Sequence, residues 1–446
     1  MIAPRLLEGP VASLDEILLR REQRWQEQRE LLSRGQCLVS FTMNIPGAKK
    51  QFPLERAGFE TGARELRTLF PIREERLHSA VTGDEALLLL DLPAWEVKKK
   101  TVILEESHPL GRLWDMDVLD REGRSLSRTT LGLPQRRCLV CGEAAKVCGR
   151  SRRHSPEQLF RCTAQRLHDF FRTQAADTAG SCALKAVLSE VSVTPKPGLV
   201  DRRDSGSHTD MDFFTFVDSS AALAPWFRRF FLAGWDHAGG LFGVLRALGQ
   251  QAETDMFAAT KGVNTHKGLI FSMAILCGAL GRASAEAFPQ SPSLDQISEI
   301  ARSLGADSMK DFAASSGETS GLRCYHAHGL SGIRGEAAAG FPAVINVGLP
   351  TLRQWLSRGV SLNDASCAAL LALIAAVDDT NMIHRGGYEE AAARKTEARC
   401  LSAALRAERI CPALSALNEA YIQKNLSPGG CADLLALTLF FHFLNL

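Results

Sequence analysis

Two aspartates one residue apart, Asp115 and Asp117, close the segment Thr101-Val-Ile-Leu-Glu-Glu106, His108-Pro-Leu-Gly-Arg-Leu-Trp-Asp-Met-Asp-Val-Leu119. Two apolar, β-prone runs flank Pro109 and Gly111, which predicts a pair of strands joined by a turn. Side chains alternate along a strand, so Asp115 and Asp117 fall on one face. Two carboxylates on one face can hold Mg²⁺ ions that clamp the attacking and leaving oxygens of a phosphoryl or nucleotidyl transfer. A solvated strand face bearing two acids has the same pattern. Gly111 and Arg112 add to the chemical reading, since glycine lets a phosphate approach closely and arginine can bind its oxygens in a bidentate pair.

Two other clusters lie in this half. Asn44-Ile-Pro-Gly-Ala-Lys-Lys50 follows an apolar run and precedes a helical one, which suits an anion-binding turn with Lys50 aimed at a phosphate. With the two aspartates, this resembles the arrangement of nucleotidyltransferases. Cys138, Cys141, Cys148 and His154 could supply three thiolates and an imidazole to a structural zinc ion. The alternative is cysteines packed as small hydrophobes. A redox role is disfavoured, because no thioredoxin-like βαβ pattern surrounds the C-x-x-C pair.

The second half carries its polar residues in glycine-marked loops. Thr194-Pro-Lys-Pro-Gly-Leu-Val-Asp201 runs on through Asp204, His208, Asp210 and Asp212, and also brings Lys196. Helix capping accounts for one of these acids but not for Asp201, His208 and the lysine together. Thr260-Lys-Gly-Val-Asn-Thr-His-Lys-Gly268 precedes a helical run, so amides at a helix start and Lys261 and Lys267 could cradle a polyphosphate. The spacing is not that of a Walker A loop. Arg334 lies among glycines, and Asp378 and Asp379 follow an apolar helix, where the dipole opposes acids and a metal would favour them. His384, Arg385 and the stretch Ser427–Asp433 complete the set. Loops of this kind on one helical scaffold point to one large nucleotide site.

The elements that must position these residues differ between the halves. Ser13 and Glu16 form a capping box, opening a charged helix that should stop near Gly35. Residues 37–44, 85–91 and 101–105 predict strands, and 54–70 a helix. This half is α/β or α+β with a mixed or antiparallel sheet. From about Ala179, period-two segments nearly vanish, and helices are predicted at 181–193, 212–233, 268–283, 295–314, 364–378, 398–420 and 430–444. Residues 174–180 look like a connector. The expectation is therefore a multidomain chain, with an N-terminal α/β (α+β), nucleotidyltransferase-like domain over 1–175 and an all-α domain over 176–446.

Composition sets outer bounds. At 446 residues the chain is too long for one ordinary core. A hydrophobic share of 45 % with 23 % charged residues is that of a soluble globular protein, and a net charge of +2 gives no bulk attraction for nucleic acid. Residues 1–30 lack the basic and apolar regions of a signal peptide. The apolar run 434–444 is too short to cross a bilayer, so no membrane association is expected. Twelve cysteines in such a chain point to reduced thiols in the cytoplasm.

Several long motifs match known families. Leu38-Val-Ser-Phe-Thr42, Pro46-Gly47 with Lys50, His108–Val118 and Leu133-Pro-x-Arg-Arg-Cys-Leu-x-Cys141 resemble the citrate lyase holo-acyl-carrier-protein synthase family. Thr194–Asp201, Gly206-Ser-His-x-Asp-Met211, Lys261–Gly268, Gly332-Ile-Arg-Gly-Glu336 and Ser427–Asp433 resemble triphosphoribosyl-dephospho-CoA synthase. The resemblance spans nearly the whole chain and suggests a fusion.

The resemblance implies a two-step route. A ribose hydroxyl of 3′-dephospho-CoA would displace adenine from ATP, and a serine of the apo acyl carrier protein (γ) subunit of citrate lyase would attack the product's α-phosphorus, releasing diphosphate. Asp115 and Asp117 would hold Mg²⁺ for the second step, with Glu105, Glu106 and Asp91 open as a third carboxylate. Lys50 and Arg112 would contact phosphates. For the first step, Asp201 and Asp210 are candidate bases and His208 an acid or orienting group. Lys196, Lys261, Asn264, Thr265, His266, Lys267, Gly268, Arg334 and Arg385 would bind nucleotide, with Mg²⁺ on Asp378 or Asp379. Three rival readings remain: the same reactions serving malonate decarboxylase, a non-catalytic chaperone for carrier protein and CoA precursors, and a helical nucleotide hydrolase.

Overall fold

The computed structural model describes residues 2–314 and 320–446. The chain divides into two compact units, Met1–Thr173 and Gln174–Leu446.

In the first unit the elements run α1 (Leu14–Leu32), β1 (Cys37–Met43), α2 (Pro53–Leu69), β2 (Glu74–Ala80), β3 (Gly83–Leu90), α3 (Ala94–Ser107), β4 (Trp114–Asp120), α4 (Ala145–Arg150) and α5 (Pro156–Ser192), the last running on into the second unit. The four strands form one antiparallel sheet in the order β2-β3-β1-β4. Both members of the Ser13–Glu16 capping box are made, and the helix they open ends at Leu32. Period two sorts the sheet residues. Val39, Phe41, Ala86, Leu88, Trp114, Met116 and Val118 lie on one face and are buried. Phe41 stacks on Phe59 of α2 at 5.0 Å, and the Trp114 indole N–H donates to the Gly58 carbonyl at 3.2 Å. The opposite face is apolar only at one end, where Leu38, Leu87 and Leu89 meet Leu31 and Leu32 of α1.

One predicted strand is a helix. Residues 101–105 belong to α3, whose buried positions Val97, Lys98, Thr101, Val102 and Glu105 recur every three to four residues. The β-branched run from Thr101 hid a helical period that begins four residues earlier. The stretch 174–180, expected as a connector, lies inside α5. The strand β2 was not anticipated: its residues are mostly polar and half-buried, as befits an edge strand.

The second unit is helical throughout its described residues: α6 (Phe213–Asp236), α7 (Leu241–Ala259), α8 (Lys267–Ala287), α9 (Leu294–Ala314), α10 (Ser320–His328), α11 (Gly332–Ala338), α12 (Leu349–Ser357), α13 (Leu362–Ala376), α14 (Thr380–Gly386), α15 (Tyr388–Ala403), α16 (Ile410–Gln423) and α17 (Gly429–Phe443). The run predicted over 398–420 is broken into α15 and α16, and α7 and α12 were not anticipated. The helices α8, α13 and α17 are buried nearly all round, as their uniform apolarity requires. α8 has the length and composition of a membrane span, yet 72 % of its apolar window is buried inside this unit. It crosses α6 at backbone distance: a Cβ on Gly234 would lie 1.9 Å from the Gly278 carbonyl oxygen, and one on Gly281 2.0 Å from that of Phe231.

One buried acid has a measurable consequence. Glu55 on α2 is fully buried, and neither carboxyl oxygen has a hydrogen-bond partner. Burial, then the charge of Asp84, pushes its pKa up to about 9. The folded state therefore holds this proton more tightly than the unfolded chain, whose ordinary value is 4.5. Stability is untouched below that value and lost as pH rises toward the folded pKa. Glu55→Gln should raise the urea midpoint at pH 8.5, by roughly 1–3 kcal/mol in stability, with no gain at pH 4. Paired urea titrations at the two pH values measure this.

Candidate functional site

The sheet face that α1 leaves polar carries the first cluster. Register places Asp115 beside Thr42, Thr42 beside Glu85, and Glu85 beside His78, so one row crosses all four strands. Asp117 lies beside Ser40 in the next row on the same face. Met116, between the acids, points to the opposite side and is buried. Asp117 is open to solvent, yet desolvation by the surrounding protein and then the neighbouring Asp115 charge raise its pKa.

Asp115 is already engaged: its Oδ1 accepts from Arg136 Nη1 at 2.8 Å. The other end of that guanidinium grips Glu105, whose side chain is 1 % exposed. Glu105 also accepts from Arg128 Nη2 at 2.5 Å and from the Met116 backbone N–H at 3.1 Å. Lys98, buried on the same helix, donates to the Met116 carbonyl at 2.9 Å. Of the three candidates for a third carboxylate, Glu105 is thus joined to Asp115 through one arginine. Glu106 pairs with Arg128 at 2.7 Å, and Asp91 meets Arg73 at the sheet margin at 3.1 Å. Glu85 was not among them, although it lies in Asp115's row, roughly 10 Å away across two strand spacings. It is paired with Arg20 at 3.0 Å and Arg24 at 3.5 Å. An acid directly before the apolar run Ala86–Leu90 of its own strand was the available signal.

Two readings of this region change. Gly111 does not open a path for phosphate, because a Cβ there would lie 2.4 Å from the Glu105 carbonyl oxygen. Its role is the tight exit from α3. Lys50 turns back on its own loop, with Nζ donating to the Ile45 carbonyl at 2.5 Å, and burial lowers its pKa. Arg112 keeps a free group: Nε donates to the Arg137 carbonyl at 2.5 Å, while Nη1 is buried with no partner. Desolvation, then Arg136, lowers its pKa. Cys138, Cys141, Cys148 and His154 are brought together, each offering a ligand atom within 4.8 Å of the others.

In the second unit a cavity of about 170 Å³ opens among helix ends. Glu190 of α5, Lys196, His208, Thr265, His266, Asn381, His384, Arg385, Ser427 and Asp433 supply its polar lining. Lys196 is buried and donates to Glu190 at 2.5 Å. Burial raises the Glu190 pKa against the pull of Lys196, and it raises Asp433 well above the carboxylate range, with Glu190 adding to the effect. His208 meets Ser427 Oγ through Nε2 at 2.9 Å and Arg385 through Nδ1 at 3.2 Å. His266 bonds Ser219 through Nδ1 at 2.6 Å, and its buried Nε2 has no partner. Desolvation, then Lys196, takes this imidazole down to about 3, so it is neutral at ordinary pH.

A second cavity of about 420 Å³ adjoins the start of α8 and is lined by Arg246, Glu253, Lys267, Gly268, Phe271 and Arg334. Lys267 pairs with Glu253 at 3.1 Å, and the Arg334 guanidinium lies over the Phe271 ring at 5.3 Å. The expected phosphate cradle is therefore divided: Thr265 and His266 line one cavity, Lys267, Gly268 and Arg334 the other. Asn264 Oδ1 accepts the Lys267 N–H at 3.3 Å, and exposed Lys261 lines neither cavity.

The acids read as bases or metal ligands have other occupations. Asp201 is buried and accepts from the N–H groups of Lys196 at 3.0 Å, Arg203 at 2.7 Å and Asp204 at 3.1 Å, which folds its loop. Asp210 is exposed, 4.0 Å from His208. Asp379 is not at a helix end but caps the start of α14, accepting from Asn381 and Met382 N–H, and from Cys431 N–H at 2.8 Å. The helix dipole therefore favours it without a metal. Asp378 pairs with Lys395 at 2.7 Å. Glu190 was missed, and Asp433 was noted only as the close of the stretch Ser427–Asp433, with no role of its own. Asp433 is the single acid of the apolar α17, and Glu190 lies one helical turn from the buried Ala186 and Val187 of α5; that spacing was the signal.

Two units, each with its own cationic and carboxylate-lined site, make a two-domain group-transfer protein. A family model described as apo-citrate lyase phosphoribosyl-dephospho-CoA transferase matches residues 12–170, and one described as ATP:dephospho-CoA triphosphoribosyl transferase matches residues 176–446. The chain belongs to both families, one per unit. It is 36 % identical over 458 residues to Protein CitXG of Haemophilus influenzae, covering 97 % of each chain. Protein CitXG of Leuconostoc mesenteroides subsp. cremoris is 32 % identical at the same coverage. A probable 2-(5''-triphosphoribosyl)-3'-dephosphocoenzyme-A synthase of Streptococcus equi subsp. zooepidemicus is 44 % identical over 287 residues, 60 % of this chain and 97 % of that one.

The occupation of Asp201 is directly testable. In Asp201→Asn one side-chain acceptor becomes an N–H donor facing a backbone N–H. Equilibrium urea unfolding should show a loss of about 1–3 kcal/mol, the cost of an unsatisfied buried group.

Proposed function

We propose that this chain makes the citrate lyase prosthetic group and attaches it. The second unit joins ATP and 3′-dephospho-CoA into 2′-(5″-triphosphoribosyl)-3′-dephospho-CoA and releases adenine. The first unit transfers the phosphoribosyl-dephospho-CoA to a serine of the apo acyl carrier protein, the γ subunit, and releases diphosphate. One observation carries this reading: each matched family covers one compact unit, and each unit has its own separate anion-ready site.

In the second unit a hydroxyl of dephospho-CoA attacks C1′ of ATP's ribose, and adenine leaves with the bonding electrons and gains a proton. The transition state is cationic at the sugar, which favours nearby carboxylate charge. Glu190, paired with Lys196, and Asp433, which feels the Glu190 charge, supply a carboxyl pair that can hold or give up a proton. His266 offers its unpartnered Nε2 to the substrate, and His208, fixed between Ser427 and Arg385, orients it. Lys267 and Arg334 meet the triphosphate from the adjoining cavity.

In the first unit Asp115 and Asp117 fit a cation: both lie on one face, and desolvation and then the Asp115 charge raise the pKa of Asp117. They would hold Mg²⁺, which when bound neutralises charge on the α-phosphate and the departing diphosphate. Arg136 and the free Nη1 of Arg112 bind phosphate oxygens. Zn²⁺, with no part in either reaction, belongs to the cysteine and histidine cluster. The twelve cysteines, all free thiols, suit a reducing cytoplasm.

The reading is tested by incubating the chain with ATP, Mg²⁺, dephospho-CoA and apo carrier protein, following adenine release by chromatography and carrier mass by mass spectrometry. Asp117→Asn should slow loading by at least about 100-fold and leave adenine release intact. His266→Ala should slow adenine release by a similar factor, with no effect on loading from preformed triphosphoribosyl product. Release of phosphate in place of adenine would defeat the proposal.

A further inference from the structure

The segment 121–155 raises a problem of stability. Among its described residues only Cys148 is buried, and Val140 and Val147 are 46 % and 63 % exposed. A stretch of this length without an apolar core does not hold one conformation by packing, and small folds in this position use a metal or disulfides instead. The twelve cysteines form no disulfide. Yet the segment delivers Arg128 and Arg136 to Glu105 and Asp115 with short, directed bonds.

Its internal geometry is that of a metal knuckle. The Cys138 N–H donates to the Glu143 carbonyl at 2.6 Å and the Ala145 N–H to the Arg136 carbonyl at 2.9 Å, closing a hairpin around Cys138 and Cys141. The Val140 N–H points at Cys138 Sγ, 3.5 Å away. Gly142, directly after Cys141, has φ +73°, the left-handed conformation that turns the chain back. Cys148 follows on α4 and His154 just before α5. The Cys141 and Cys148 sulfurs are 3.8 Å apart. Two thiolates about 2.3 Å from a tetrahedral zinc would also be separated by about 3.8 Å. His154 Nε2 is buried without a hydrogen-bond partner.

We propose that Cys138, Cys141, Cys148 and His154 hold one structural zinc ion, and that this clip positions Arg136 and Arg112 in the transferase site. The link is covalent and short. Arg136 and Arg137 immediately precede Cys138. Arg136 bridges Asp115 and Glu105, while the Arg137 carbonyl receives Arg112 Nε at 2.5 Å. Fixing Cys138 therefore fixes both guanidiniums. They are positioning and phosphate-binding groups, and the zinc takes no part in bond making. The zinc half stands on the cluster alone; the positioning half rests on the transferase reading of the first unit.

The full chain, purified from zinc-supplemented culture, should contain about one zinc per chain by plasma mass spectrometry. Cys141→Ser and His154→Ala should each lose most of it. Both should raise the KM for the triphosphoribosyl substrate in carrier loading by about 10-fold, with adenine release unchanged. Arg136→Ala should keep its zinc and show the same rise in KM, and Arg136→Lys should recover part of it. Should a ligand variant fail to fold, wild-type chain stripped with a chelator gives the same reading: loading falls and returns with zinc but not with magnesium alone. A wild-type chain without zinc, or ligand variants that keep it, overturns the site. Zinc-free chain that loads with unchanged KM overturns the positioning. If wild-type chain loads no carrier at all, the zinc count still decides the site by itself.

Discussion

A charge taken out of water must be met by opposite charge or by directed hydrogen bonds, and this requirement organises both sites. Beside Asp115 and Asp117 in the first unit, the buried carboxylate is Glu105. It is met by Arg128, by Arg136 and by a backbone N–H of the strand carrying Asp115 and Asp117. Helix α3, strand β4 and the segment beyond are held together at that one group. Removing it would leave the Met116 N–H without its acceptor and take from Arg128 and Arg136 one of their two carboxylate partners, leaving them Glu106 and Asp115. In the second unit Lys196 and Glu190 stand in the same relation, and the lysine's place is fixed in turn by Asp201, which binds its backbone N–H.

Packing decides where such groups lie. The sheet has one apolar face, closed by Phe41, Phe59 and Trp114, and one face that is apolar only where α1 ends. In the remaining polar rows Ser40 and Glu85 are covered by Gln28 and Arg20 of α1, while Asp117 is left exposed. The second unit reaches a similar result by other means. Its apolar helices α8, α13 and α17 take up the interior, with α6 brought to backbone contact through Gly234, Gly278 and Gly281. What is left for chemistry is the rim of helix ends, where unpaired N–H groups and short loops gather cations and acids.

The family relationship and the geometry address different questions. The matched families give the pair of reactions and assign one to each unit. They do not say why His266 is neutral, why Asp201 faces three backbone N–H groups, or why a coreless segment should reach Glu105 and Asp115. Those follow from burial, from a loop folded onto one carboxylate, and from four ligand atoms gathered in one place.

Local pattern by itself determined much of this protein. Period two put Asp115 and Asp117 on one face, the capping box at Ser13 and Glu16 opened α1, and apolar runs at helical spacing located α6, α8, α9, α13 and α17. The motifs also led to the two families, because long runs of particular residues are specific where single acids are not. Tertiary structure alone decided which polar residues were still available for chemistry. Asp201 and Asp379 have the right type and the right loops, but the folded loops turn their oxygens onto N–H groups of their own segments, and Asp379 also onto that of the distant Cys431. Glu85 and Asp115 are far apart in sequence and share one row because β1 lies between their strands. Glu190 and Asp433 lie at opposite ends of the second unit's sequence, and their charges interact only because the helices that carry them close on one cavity. Spacing along a chain reports which face a residue occupies; which partner waits on that face depends on contacts between distant segments.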